Sequence, residues 1–296
     1  MFAVRTYGDF NPNKKYEYNI AVGYWLSGIK IDSQGNKKEI DQKKSKKILL
    51  DSLNILSKNN KNALFTILDD CSPIPIPEVL DSLEGNPVIV VQLLQNQGVG
   101  GKENILQSIS KKFSDFYFRF DADVKFTKCP VDSLRKAFQD CPNLGMAVIN
   151  AGFLGAMTCG KKDGPNYVQI KGAVGNGAMV PTKIFNQVGF SDPTLRYFED
   201  VDMAIRIYSQ GYRIVMVQSA QGTTTQSGAG TEPGDRPIYA QYLQKLNPGV
   251  KVSYNSNGMP IIRWESTAFA YRRTLPSSPL SMLILNKLRD KKGLVI

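Results

Sequence analysis

The feature that most constrains this chain is an alternation. Between residues 18 and 124, short apolar runs take turns with segments of helical periodicity, and most of the runs stop at a turn signal. "YNIAVGYWLSGIKI" (18–31) reads as strand material. "QKKSKKILLDSLNILSKNN" (42–60) then spaces Ile48, Leu49, Ser52, Leu53 and Leu56 along one face of a helix. "NALFTILDDCSP" (62–73) is an apolar run closed by two aspartates and Ser-Pro, the pattern of a buried parallel strand entering a loop. A short helix (76–85) closed by Gly85, a strand into a glycine loop (86–101), a helix (101–114) and a strand "DFYFRFDADV" (115–124) continue the series. Strands that alternate with helices predict βαβ units, hence an α/β fold with a Rossmann-like, mainly parallel central sheet and ligand groups at the strand carboxyl ends.

Beyond residue 124 the rhythm loosens. Residues 131–140 read as a helix, 144–157 and 166–181 as strands with a glycine-rich turn, 200–211 as a helix stopped by Gly211, and 212–218 as a strand. A Gly, Ser and Thr-rich loop (219–235) separates this region from a helix (238–246), a strand (258–266) and a helix (278–292). The expected division is an α/β unit over 1–218 and a basic C-terminal extension over 219–296, packed on the same domain.

Charge narrows the partners. The formal net charge is +11 with no histidine; residues 30–61 carry nine lysines, and residues 221–296 carry ten Lys or Arg against four acids. Such an excess favours polyanions: nucleic acid, anionic surfaces or phosphorylated substrates. No apolar stretch reaches the roughly 18 to 20 residues that span a bilayer, and no secretory pattern opens the chain, so a cytoplasmic protein is expected. Cys71, Cys129, Cys141 and Cys159 form no CxxC pair and read as reduced packing residues.

Three acidic features stand at strand or loop ends. Asp69-Asp70 closes one strand. Asp121 and Asp123 are two apart, so in an extended segment both carboxylates would face one ligand, and hard cations such as Mg²⁺ or Mn²⁺ take carboxylates together with substrate phosphate oxygens. Alone, so short a pattern is more often surface decoration. Glu199-Asp200 opens a helix in which Asp202 and Arg206 make an i,i+4 pair; Asp202 is expected to be structural. Without histidine, general-base chemistry near neutral pH falls to a carboxylate, Lys, Tyr or Cys. "GVGG" (98–101) matches neither P-loop nor dinucleotide patterns and reads as a tight turn.

In order, "FTILDDCSP", "NQGVGGKENI", "FRFDADV" and "GAMVPTKIFNQVGFSDPTLRYFEDVDMAIRIYSQGYRI" resemble the motifs of GT-A glycosyltransferases of the family-2 type, over about residues 62–214. The resemblance implies a UDP-sugar donor bound by Asp69, Asp70, Asn96, Gly98, Asp121 and Gly177, with Asp69 or Asp70 near the base and Asp121 near the ribose. It implies Mn²⁺ or Mg²⁺ on Asp123, Asp200 as the base that activates an acceptor hydroxyl, Glu199 in support, and inversion at the sugar carbon. Arg236, Arg272 and Arg273 are candidate phosphate contacts.

The basic charge bears on the acceptor. A soluble, basic enzyme of this kind resembles the bacteriophage glucosyltransferases that modify hydroxymethylated or already glucosylated bases in DNA, with UDP-glucose as the default donor and the host cytoplasm as location. Aromatic and basic residues interleave in "IIRWES" and "FAYRRT", although Trp264 and Tyr271 serve a core equally well. A polysaccharide or lipid-linked acceptor, with residues 279–292 as a surface-binding helix, is a second reading. A non-catalytic nucleic-acid-binding protein on the same scaffold is a third.

Overall fold

The structure is a computed structural model. It describes residues 2–24, 29–31, 37–39, 42–72, 81–151, 161–170, 176–224, 236–247, 249–256, 258, 260–264 and 274–289. Arg272, Arg273, Tyr271, Cys159 and most of the 219–235 loop lie outside these residues.

Its centre is a ten-stranded sheet. In chain order the strands are β1 (Phe2–Tyr7), β2 (Tyr16–Tyr24), β5 (Leu64–Asp69), β6 (Val88–Leu93), β7 (Ser114–Phe120), β9 (Leu144–Asn150), β10 (Lys161–Lys162), β11 (Tyr167–Gln169), β12 (Gly177–Pro181) and β13 (Arg213–Gln221). β3 (Ile29–Ile31) and β4 (Lys37–Glu39) form a separate hairpin, and β8 (Val124–Lys125) pairs outside the sheet with β14 (Thr223–Thr224). The spatial order is β1-β6-β5-β2-β7-β12-β9-β13-β11-β10. β6, β5, β2 and β7 run parallel, as does β13 beside β9, while β1, β12, β11 and β10 pair antiparallel. β1 was not legible in the sequence. It sits at the edge, paired only with β6, and "FAVRTY" shows little apolar alternation.

The helices cover both faces. α1 (Gln42–Asn59) and α3 (Val131–Asp140) bury Leu49, Leu53, Leu56, Val131, Leu134 and Ala137 against one face. α2 (Gly98–Phe113), α5 (Glu199–Ser209) and α7 (Pro279–Arg289) bury Ile105, Ile109, Met203, Ile207 and Ile284 against the other, α4 (Phe185–Val188) adding Phe185. Alternation along β7 divides its side chains accordingly: Phe118 and Phe120 join the α1 side, Tyr117 the α2 side. C-terminally, α6 (Arg236–Leu246) and the hairpin β15 (Val250–Tyr254) and β16 (Pro260–Trp264) share a small core with α5, built on Val201, Ile205, Ala240, Leu243 and Ile262.

One topological fact places the site. From β2 the chain moves outward to β5 and β6, then crosses back to β7 on the other side of β2. In open α/β sheets such a reversal opens a crevice beyond the strand carboxyl ends. Asp69 ends β5 and Asp121 follows β7; with β2 between them, they flank that crevice about two strand spacings, or ~10 Å, apart.

Candidate active site

On the β5 side the acids hold their own loop. The Ser72 amide donates to Asp69 Oδ1 at 2.8 Å, and the Gln97 amide to Asp70 Oδ1 at 2.7 Å. Asn96 ties the same two loops, donating from Nδ2 to the Asp70 carbonyl (3.2 Å) and accepting from the Gly98 amide (3.0 Å). Burial pushes Asp70 up to about 6, against the Gln97 amide and the charge of Lys102. Gly98 has φ +70°, which glycine adopts without strain, and it opens α2. Gly100 is held more tightly: its amide donates to the Leu195 carbonyl at 2.8 Å, and a Cβ there would overlap the carbonyls of Asp192 and Leu195. The 98–101 stretch is thus the first turn of α2 rather than a separate tight turn, and Gly100 packs that helix start onto the segment leading to Glu199.

β7 ends at Phe120, and residues 121–124 form a turn closed by the Val124 amide on the Asp121 carbonyl at 3.0 Å. This corrects the extended-strand expectation, since side-chain alternation no longer governs Asp121 and Asp123 beyond Phe120. The two acids separate. Asp121 ion-pairs with Arg119 Nη2, whereas Asp123 Oδ2 accepts from Thr224 Oγ1 at 3.3 Å, beside the β8–β14 pair. Ser52 pins this turn from below, donating to the Val124 carbonyl at 2.7 Å and accepting from the Phe126 amide at 3.2 Å. A serine on the apolar face of α1 was the signal for it. Gly177 begins β12 opposite Phe120; a Cβ there would come within 2.8 Å of Ile149 Cδ1, so packing alone accounts for the glycine.

α5 starts from Phe198, in the left-handed conformation at φ 62° with no side-chain cap, and presents Glu199, Asp200 and Asp202 in its first turn. Acids are favoured there by the helix dipole. Asp202 is structural, as expected: it is buried, pairs with Arg206 at 2.9 Å and accepts from Asn247 Nδ2 at 3.1 Å. Asp200 is half-buried and accepts from the Val201 amide at 2.8 Å. Glu199 is buried. Burial and the adjacent Asp200 push Glu199 well above the carboxylate range; burial likewise raises Asp200, with Arg119 opposing.

Between these groups lies what the sequence left unexplained. Arg119 is buried on the α2 side of β7 and reaches Glu103 Oε1 of α2 (3.5 Å), Asp121, and Glu199 Oε1 of α5 (3.5 Å). Tyr117 donates to Glu103 Oε2 at 2.6 Å. Burial works against the guanidinium charge, but Glu103, Asp121 and Glu199 outweigh it and keep Arg119 protonated. Glu103, Tyr117, Arg119, Glu199 and Asp200 share a cavity of about 30 Å³. Glu103, the one charged residue among the buried positions of α2, is the signal in the sequence for this cluster.

Among the described residues no group of three or more His, Cys, Asp or Glu is placed to hold a metal ion. The donor set still suits a hard cation, because Mg²⁺-type sites often use one or two carboxylates and complete their shell with substrate phosphates and water. Arg236 lies over the Tyr197 ring, 5.3 Å from its centroid, and Tyr197 in turn packs on Tyr239 at 5.9 Å. No helix among the described residues is long and apolar enough to cross a membrane.

No family model and no curated protein matches the chain. Solved structures do. TarS 1-349 of S. aureus, in complex with UDP-GlcNAc, is similar at 15% identity and TM-score 0.56, over 78% of this chain and 65% of that one. The mannosyltransferase PcManGT from Pyrobaculum calidifontis, in complex with GDP-Man and Mn²⁺, is similar at 12% identity and TM-score 0.51, over 79% and 63%. GalNAc-T7 with UDP, GalNAc and Mn²⁺ is similar at 13% identity and TM-score 0.53, over 93% and 55%. The chain spans less than two thirds of the length of each of these proteins. A mixed α/β sheet with its crevice at the reversal beside β2, matched to these three structures, establishes the GT-A fold for this chain.

Proposed function

We propose that the protein is a cation-dependent, inverting glycosyltransferase that moves a sugar from a nucleotide donor to a hydroxyl. The observation that carries this is the convergence of Asp121 and Glu199 on one buried guanidinium, with Asp200 lining the same cavity. The structural neighbours were solved with UDP-GlcNAc, GDP-Man or UDP, two of them with Mn²⁺, which supports a nucleotide-sugar donor and a divalent cation here.

The β5-side acids and the Asn96 loop line the base end of the donor, Asp121 faces its ribose, and Asp123 would hold the cation. That cation, when bound, screens the negative charge of the leaving diphosphate. Asp200 accepts the acceptor hydroxyl proton as the hydroxyl oxygen bonds to the anomeric carbon, and the bond from that carbon to the diphosphate oxygen breaks with inversion. A half-buried carboxylate with raised proton affinity suits this task, since general bases work best with a pKa near the operating pH.

For the acceptor, the +11 charge favours a polyanion, and we read it as DNA carrying hydroxymethylated or glucosylated bases, with UDP-glucose as donor. The test is a screen of UDP-sugars with Mn²⁺ or Mg²⁺ against unmodified, hydroxymethylated and glucosylated DNA, read by mass spectrometry of the nucleosides. Turnover with no DNA product would redirect the acceptor to a polysaccharide or lipid-linked hydroxyl. A salt-sensitive gel shift without turnover of any nucleotide sugar would replace the enzyme reading with a binding protein.

A further inference from the structure

Arg119 has no part in the chemistry just described, yet it is the most heavily partnered side chain of the site. We propose that Arg119 is a positioning residue that locks the donor-side Asp121 to the acceptor-side Glu199 through one buried guanidinium, for which Glu103 competes as a third partner. The inference rests on the glycosyltransferase reading of these carboxylates.

Three elements supply the partners. α2 gives Glu103, β7 gives Tyr117 and the turn that follows it Asp121, and α5 gives Glu199 with Asp200 beside it; the β12 residues lining the same cavity, Ala178 and Val180, are apolar. One positive charge therefore faces four acids. The planar fork suits this, because its nitrogens diverge in one rigid plane and can meet several carboxylates at once, which a lysine ammonium on a flexible stem does not do. Tyr117, donating to Glu103 Oε2, leaves Oε1 of that carboxylate toward Arg119. Glu103 thus draws on the same cation that Glu199 uses, and its charge disfavours an ionised Glu199, whereas Arg119 favours one.

Opposite consequences follow for two variants. Glu103→Gln leaves more of the guanidinium charge to Glu199, so the Glu199 titration moves to lower pH by about one unit, the size expected when one charge a few ångströms away is removed. Arg119→Met moves it to higher pH. Arg119→Lys keeps the charge but loses the fork: the titration stays within about half a unit of wild type while kcat for sugar transfer falls about 10-fold.

The experiment is a carboxyl ¹³C NMR titration of Glu-labelled protein, with Glu199 assigned by Glu199→Gln, on wild type and the three variants. The pH–rate profile with UDP-glucose and Mn²⁺ is measured alongside. Opposite shifts in Glu103→Gln and Arg119→Met, with a slowed Arg119→Lys, support the proposal. An unmoved Glu199 in Glu103→Gln, or wild-type kcat in Arg119→Lys, overturns it. If Arg119→Met fails to fold, Glu103→Gln decides the titration by itself. Absence of turnover in wild type would defeat the glycosyltransferase reading, while the NMR titration would still decide whether Arg119 governs Glu199.

Discussion

Arg119 and Glu199 lie 80 residues apart in the chain and meet at 3.5 Å, guanidinium Nη1 to carboxylate Oε1, inside the fold. Since the same guanidinium also pairs with Asp121, the turn after β7 and the start of α5 are joined by charge as well as by packing. The junction holds the donor-side and acceptor-side acids in one fixed relation, while Asp202 is tied instead to Arg206 within α5.

Asp200→Asn and Asp123→Asn are expected to reduce sugar transfer at least 100-fold, the usual scale for removing a general base or a cation ligand. Far-UV circular dichroism and thermal midpoints should stay at wild-type values, because neither side chain is fully buried. Wild-type rates in both variants would sink the site assignment.

Asp202 pairs instead within α5. Removing it leaves Arg206 buried beside the Val188 carbonyl without its counter-charge, so Asp202→Ala should cost about 3–5 kcal/mol in urea denaturation. A loss below about 1 kcal/mol would show that the pair is not a structural tie.

Gly100→Ala should destabilise the protein by at least ~3 kcal/mol, comparable to other severe core overpacking. The added methyl would meet two backbone carbonyls, of Asp192 and Leu195, which cannot swing aside as a side-chain tip can. Gly85→Ala is a control of another kind, strained by φ +78° but with nothing near its Cβ; it should cost about 1 kcal/mol, the scale of a left-handed non-glycine residue.

Asp70 yields a pH test. Its carboxyl is raised by burial to about 6, so the folded state holds the proton more tightly than the unfolded chain. The stability this confers is full below the unfolded value near 4 and is lost as pH rises through 6. Asp70→Asn keeps an oxygen to accept from the Gln97 amide and has no proton to lose. Its stability relative to wild type should therefore climb by about 2 kcal/mol between pH 4 and pH 7, measured by urea midpoints; a flat difference would show that burial does not raise this carboxyl.

Ser52→Ala removes the support beneath the Asp123 turn, with its hydrogen bonds to the Val124 carbonyl and the Phe126 amide lost. A cost of about 1–3 kcal/mol is expected, together with a higher Mn²⁺ concentration for half-maximal transfer. An unchanged Mn²⁺ requirement would mean that the turn holds its shape without Ser52.

Much of the molecule is legible in the sequence alone. The apolar runs ending in Asp69-Asp70 and in "FRFD" became parallel strands, and the Ile48-to-Leu56 face of α1 is buried throughout, because periodicity reports directly which side of an element leaves water. The i,i+4 pair of Asp202 and Arg206 was equally readable, since both partners sit on one helix. Helical and strand periods, however, say nothing about which elements meet. Only the tertiary structure decided that β7 stops at Phe120, so that Asp121 and Asp123 part company in a turn, and that Glu103, Arg119 and Glu199, drawn from three elements, form one charge cluster. The physical reason is burial. In sequence Arg119 is an ordinary charge in an aromatic strand; once the sheet and two helices exclude water around it, its charge must be answered by whichever acids the topology has brought within reach.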